Sequence, residues 1–117
     1  MAIRIVQSRV NWGHYLTQGN LNGIMTCYSK SPIFKGTFSN NITYNTKSLQ
    51  DYFVNLIKQN PKVVFKETKI IQTGELYFDS GKYKFILDNK TINANYQFVY
   101  QEIDQEFKII SHLSLPI

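Results

Sequence analysis

The chain is short of several things, and each shortage excludes something. It has a single cysteine in 117 residues, so no internal disulfide can staple it, as suits a reducing compartment. That residue, Cys27, lies in the apolar stretch GIMTCYS. It reads as a buried, inert thiol, since no base stands in a recognisable motif with it. No apolar run approaches the roughly 20 residues of a membrane span. The amino end, MAIRIVQSRVNWGHY, lacks the apolar core and small-residue cleavage site of a secretory signal. A soluble, cytoplasmic protein without a membrane partner is expected. Acids are missing from the first half: Arg4, Arg9, Lys30, Lys35 and Lys47 all precede the first of them, Asp51. The net charge is +5, but its lysines and arginines are scattered along the chain and form no nucleic-acid-binding motif. A solvated basic face is the plain reading, and nucleic acid is not an expected partner. There is no glycine-rich phosphate loop, no Ser-His-Asp order and no zinc-ligand spacing. His14 has neither a cysteine nor an acid one turn away, so no metal and no other cofactor is expected.

What is present is apolar and aromatic. Apolar residues make up 43% of the chain and aromatics 15%, which places it among globular proteins and gives the aromatics a core, a pocket or an interface to fill. The length suits one domain, residues 1–117, able to bury a usable core. Ile5, Arg9, Trp12 and Leu16 share one side of a helix from Ala2 to about Gln18, ended by Gly19-Asn20. A second helix is expected from Leu21 to about Tyr28, then a short strand, IFKG. A third follows a cap at Thr46 or Ser48, with Leu49, Tyr52, Phe53, Leu56 and Ile57 in one stripe, and Asn60-Pro61 stops it. Beyond Pro61 the period falls from 3.6 to 2. KVVFKETKIIQ, ELYFDSGKYKFIL, TINANYQFVYQEI and EFKIISHLSL read as four strands, with turns at Thr73-Gly74, Asp88-Asn89 and Asp104-Gln105. Helices first and an antiparallel meander second predict an α+β domain with helices on one face of the sheet.

Two strands are two-faced. Tyr83 and Phe85 alternate with Lys82 and Lys84. Tyr96, Phe98 and Tyr100 alternate with Asn93, Asn95, Gln97 and Val99. An aromatic face left in water is costly, and amides and lysines make a poor core unless they line a wet cavity. Helices are expected on one face and a second copy of the chain on the other. Tyr83, Phe85, Tyr96, Phe98 and Tyr100 are the interface candidates. In the last strand Phe107, Ile109 and Ser111 are expected on one side, with Lys108, Ile110 and His112 on the other.

Several strings, in this order, resemble one family. YFVNLIKQNP resembles the third helix of the calcium/calmodulin-dependent kinase II association domain. SGKYKF, NYQFVY and FKIISHLSLP resemble strands of its small stand-alone bacterial relatives, and Trp12 before Gly19-Asn20 resembles their first helix. The resemblance implies the cone-shaped nuclear transport factor 2-like (cystatin-like) fold, with three N-terminal helices on a curved antiparallel sheet. It implies self-association, as a homodimer or a larger ring. The chain departs from the pattern where the association domain's pocket for acidic ligands would be. Leu49 stands at its helix-three histidine, Asn95 at a strand arginine, Leu113 at the second of two histidines, and Phe107 at a tryptophan. Lys82 or Lys84 would be the replacement for the lost positive charge. The candidate lining of the cone is Trp12, Tyr28, Lys82, Lys84, Asn95, Gln97 and His112, with a small molecule as a further candidate partner.

The same fold hosts ketosteroid isomerases and polyketide-cyclase-like enzymes, whose chemistry needs a carboxylate base in an apolar cone. The first strand has no acid where such a base is expected. Asp79 is the acid nearest a strand centre, with Ser80-Gly81 beside it suggesting a bulge. His112 is the other candidate catalytic group; the plain alternative is a strand histidine whose ring bonds a neighbour. The expected function is therefore a non-catalytic association-domain-like module, with an isomerase- or cyclase-type enzyme as the alternative.

Overall fold

The computed structural model describes residues 2–117. α1 (Ala2–Gln18) buries Ile5, Arg9, Trp12 and Leu16, the stripe predicted from spacing. Gly19, at φ +67°, turns the chain out of the helix in the left-handed region that glycine enters without cost. Asn20 then caps α2 (Leu21–Thr26) by accepting a hydrogen bond from the Gly23 amide at 2.9 Å. α2 is shorter than expected. It stops at Thr26, and Tyr28 opens β1 (Tyr28–Lys35) instead, with its ring in the core. α3 (Thr46–Ile57) is capped by Asn45, whose side chain accepts from the Ser48 amide at 2.8 Å; neither Thr46 nor Ser48 is the cap. With the helix starting this early, Asp51 lies past the first turn and pairs with Lys47 one turn back, at 3.2 Å.

The strands β2 (Lys62–Thr73), β3 (Leu76–Ile86), β4 (Thr91–Ile103) and β5 (Glu106–Pro116) form the predicted antiparallel meander. The sheet order is β1-β5-β4-β3-β2. β1 adds at the edge in parallel with β5, so the sheet is mixed there rather than wholly antiparallel.

Two extra residues bend the sheet. Phe98 pairs with His112 but Tyr100 pairs with Ile109, so β5 carries one residue more than β4 across this step. Such a bulge reverses the alternation beyond it. It turns Ile109, His112 and Ser114 all inward, where simple alternation had put Ile109 and His112 on opposite sides. In β2 the register slips between Lys66 and Lys69, with Glu67 at φ +53°. This bulge is in the strand facing Ser80-Gly81, not in β3 itself. A methyl group at Gly81 would sit 2.8 Å from the Glu67 carbonyl, so only glycine lets the bulged backbone fold this close.

The helices cover one face of the sheet, and the core lies between them. Trp12 is at its centre. Its ring stacks on Tyr83 at 6.1 Å and meets Phe98 edge-on at 5.3 Å and Phe53 at 6.3 Å. Tyr83, Phe85, Tyr96, Phe98 and Tyr100 are all buried within this one chain. The aromatic face expected to meet a second copy is the face the chain's own helices cover. Lys82, Lys84, Asn95 and Gln97 lie on the opposite, outer face.

Candidate functional site

Two polar constellations are sealed in the core. In the first, Arg9 of α1 reaches across to Asp79 of β3, with Nε at 2.9 Å from Oδ2 and Nη2 at 3.2 Å from Oδ1. The Tyr96 hydroxyl donates to Oδ1 at 3.1 Å. Asp79 is wholly buried and Arg9 nearly so. Burial opposes the guanidinium charge, but the bond and the charge of Asp79 outweigh it and raise the Arg9 pKa. The planar fork matches the carboxylate edge to edge, the arrangement in which such a pair holds both charges in an apolar setting. Three donor contacts thus converge on this one carboxylate.

The second is a chain of neutral groups. The Trp12 indole N–H donates to the Tyr28 hydroxyl at 3.1 Å. Tyr28 in turn lies 2.8 Å from His112 Nδ1, and His112 Nε2 lies 3.0 Å from the Tyr83 hydroxyl. The directions follow from the first link. Because the indole can only donate, the Tyr28 proton points at Nδ1, so Nδ1 accepts and Nε2–H donates to Tyr83. The Tyr83 hydroxyl lies beside Thr37, itself bonded to Ser114. Burial pushes the His112 pKa down to about 3, so the ring is neutral at any ordinary pH. It is a fixed link between two tyrosines.

A cleft of about 520 Å³ opens at the end of the cone. One wall is the polar side of α1, with Arg4, Gln7, Ser8 and Asn11. The other is the β4–β5 turn and the start of β5, with Gln105, Phe107 and Lys108. Arg4 lies over the Phe107 ring at 4.5 Å and donates to the Gln105 carbonyl at 3.0 Å. Tyr15, Thr26, Cys27, Tyr100 and Glu106 complete the lining. Burial raises the Cys27 pKa to about 12 and that of Tyr100 well above its usual value of 10. Both stay protonated, so Cys27 is no nucleophile. The Tyr100 hydroxyl is buried and, among the described residues, has no hydrogen-bond partner.

The outer face of the sheet is left uncovered by the helices. Pairing places Ile71, Phe78, Val99, Ser111 and Ile33 in one row across all five strands. A groove of about 820 Å³ beside it is lined by Ile33, Ile103 and Ile110 together with the polar Ser29, Lys30, Ser31, Gln101, Asp104 and Lys108. Lys62, Lys66, Lys82 and Lys84 lie toward one end of this face, while Glu75, Glu102, Asp104 and Glu106 gather at the turns of the other. Two of those acids are paired, Glu102 with Arg4 and Glu106 with Lys108.

The predicted pocket lining is therefore divided. Trp12, Tyr28 and His112 meet in the core, while Lys82, Lys84, Asn95 and Gln97 are on the far side of the sheet and cannot line the same space. His112 and Asp79 do not meet as a catalytic pair, since each is tied into its own network. Among the described residues no three of His, Cys, Asp and Glu cluster to hold a metal, and no helix is long and apolar enough to cross a membrane. The sequence presents Arg9 only as part of a helical stripe and Tyr100 only as an interface candidate, and the structure gives each a different place. A cation on an otherwise apolar helical stripe was a signal for a buried acid; nothing in the sequence marked Tyr100 apart from the other aromatics.

No family profile and no curated protein matches the chain. Solved structures do. A Xanthomonas campestris protein provisionally named a calcium/calmodulin dependent protein kinase II association domain superposes with a TM-score of 0.92 at 24% identity, over 100% of this chain and 88% of its own. A Nostoc punctiforme protein of unknown function with a cystatin-like fold gives 0.82 at 8% identity, over 99% and 90%. A Streptomyces avermitilis protein of the nuclear transport factor 2-like family, provisionally named a dehydratase, gives 0.84 at 6% identity, over 99% and 95%. The architecture is the nuclear transport factor 2-like, or cystatin-like, fold that the motifs implied. At these identities the likeness carries the fold and nothing finer.

Proposed function

We propose that this nuclear transport factor 2-like domain is a non-catalytic association module that pairs with a second copy through the outer face of its sheet. The observation that carries the reading is the set of apolar side chains exposed on this face, Ile71, Ile33, Leu113 and Leu115, with Phe78 partly covered between them, on a face whose rim is charged. An apolar centre within a polar rim is the anatomy of a protein interface. The association-domain name of the Xanthomonas neighbour fits this reading. Charge selects the orientation. A two-fold axis running along the strands would stack lysine end on lysine end. An axis across the strands sets the lysine end of each copy over the acidic turns of the other, which favours encounter in that orientation alone.

The enzymatic alternative lacks a free base. His112 is neutral and enclosed, and Asp79 is held by Arg9 and Tyr96. The dehydratase name of the Streptomyces neighbour belongs to a protein that shares 6% identity.

The test is mass by size-exclusion chromatography with light scattering. The expected result at micromolar concentration is at least twice the 13.7 kDa of the chain. The double variant Ile33→Lys, Leu113→Lys, at two half-exposed outer-face positions, is expected to run as a monomer with an unchanged circular dichroism spectrum. A wild-type monomer would overturn the reading.

A further inference from the structure

We infer that the cleft between α1 and the β4–β5 turn is a binding site for a small molecule that presents a carbonyl or carboxylate oxygen to the Tyr100 hydroxyl. The inference does not depend on self-association, because the cleft opens on the helix side of the sheet's end and shares only Lys108 with the outer-face groove.

The argument starts from what a buried hydroxyl costs. A polar group taken out of water without a partner destabilises the fold, and native proteins leave few such groups. The core shows how strictly that rule is kept elsewhere. The hydroxyls of Tyr28, Tyr83 and Tyr96 each have a partner, and so do Trp12 Nε1 and both ring nitrogens of His112. Tyr100 is the exception among the described residues. It is also the buried tyrosine that lines the α1 cleft. The fold satisfies every neighbouring hydroxyl and leaves unpartnered one that belongs to a residue of the cleft's own lining, sealed beneath its floor, where a small shift of the Tyr100 ring lets a ligand complete it.

The chemistry of the lining sets the class. Tyr100 stays protonated, and so does Cys27 beside it, so the deep end of the cleft offers a neutral donor and no nucleophile or base. This suits binding, not turnover. A phenol O–H in such a place selects a ligand oxygen with lone pairs and rejects a donor-only group. Higher up, Arg4 and Lys108 are paired with Glu102 and Glu106, so the rim is close to neutral and tolerates a neutral head or a single anion. Phe107 and Tyr15 offer ring faces and edges. A compact molecule with an apolar body and an acceptor oxygen, neutral or singly anionic, matches all of these. The volume of about 520 Å³ is within the range of small-ligand clefts.

Two measurements test this. The first needs no ligand. Tyr100→Phe removes only the hydroxyl, and if that hydroxyl has no partner in the free protein, the melting midpoint is expected to stay level or rise. A clear fall would mean that a resident water or protein group already satisfies it, and would overturn the proposal. The second follows amide chemical shifts on titration with benzoate, benzamide and benzylamine, which share a ring and differ in the polar head. Benzoate and benzamide are expected to shift Cys27, Tyr100 and Lys108 saturably, and benzylamine is not. In Tyr100→Phe the two acceptor ligands are expected to bind about tenfold more weakly. Binding of benzylamine as tight as that of benzoate, or no saturable shift at these residues from any of the three at millimolar concentration, would overturn the proposal. A monomeric wild type would leave it standing, so its failure and that of the association reading are separately visible.

Discussion

The two faces of the sheet are built from the same strands, in places from adjacent residues, yet they solve opposite problems. On the inner face Tyr83, Phe85, Tyr96 and Phe98 pack around Trp12, and every charge is matched: Arg9 finds Asp79 over 70 positions of sequence. On the outer face Lys66 pairs directly across from Lys82, like charge beside like charge, and the nearest relief is Glu67 at 3.0 Å from Lys82. Inside, the polar groups of the described residues other than the Tyr100 hydroxyl have partners, because stranding one costs about 1–3 kcal/mol against the roughly 0.5–1.5 kcal/mol that a made bond contributes. Outside, water screens both attraction and repulsion, so the pattern is free to serve encounter instead of stability. Substitutions on the two faces should therefore differ in kind as well as in size.

The largest effect is expected at the buried ion pair. Asp79→Ala leaves the Arg9 guanidinium enclosed with only Tyr96 and the Phe65 ring near it. The expected loss is about 3–5 kcal/mol of unfolding free energy by urea titration, out of the roughly 5–15 kcal/mol available to a small domain. A loss below about 1 kcal/mol would mean that Arg9 escapes to solvent, and the contrast between the faces would weaken.

His112 sharpens the contrast through pH. Its pKa is about 3 in the folded chain, against 6.5 as the ordinary value. Between those values the unfolded chain binds a proton that the folded chain refuses. The contribution is fully present above pH 6.5 and is lost as the pH falls from there toward 3. The expected size is on the order of a few kcal/mol. Replacing His112 with Gln supplies an amide that can also accept from one side and donate to the other. The comparison of wild type and His112→Gln by denaturation at pH 7 and pH 5 isolates the term: only the wild type should lose this component on acidification. Equal losses in both would mean that the ring is hydrated and not sealed.

Most of the architecture was legible before the coordinates. Helix α1, helix α3 and the four strands of the meander announce themselves by period, because one side of each is buried and the other is not. What escaped was set by events at single residues. Tyr28 reads as helical by spacing, but its hydroxyl bridges Trp12 and His112, and that network draws it into β1. His112 reads as facing away from Ile109, but one extra residue in β5 turns both inward. The faces were assigned to the wrong owners for a similar reason. Alternation shows that Tyr83 and Lys82 part company, but it carries no sign of which side the helices take. Arg9 carries the sign that alternation lacks. An arginine between Ile5 and Trp12 on one helical stripe demands a buried acid, and Asp79 was the acid at a strand centre. Pairing the two would have put the aromatic side of β3 under α1.

The smallest effect is expected at Lys82, and it is the one most able to break the comparison. Lys82 and Glu67 are both half-exposed or more, so their ion pair is worth about 0–1 kcal/mol in water. Removing the lysine also relieves its repulsion with Lys66 across the strand pair. The two terms oppose each other, and Lys82→Ala is expected to change unfolding free energy by no more than about 0.5 kcal/mol, in either direction. Its larger consequence should be on assembly. If the lysine end of one copy meets the acidic turns of another, the loss of one lysine slows association at low salt and has little effect at high salt, where such steering is screened. A stability loss of 2 kcal/mol or more, at the scale of a core substitution, would place Lys82 in an environment as enclosed as the inner face. The division between a face that stabilises and a face that meets would then fail at its simplest residue.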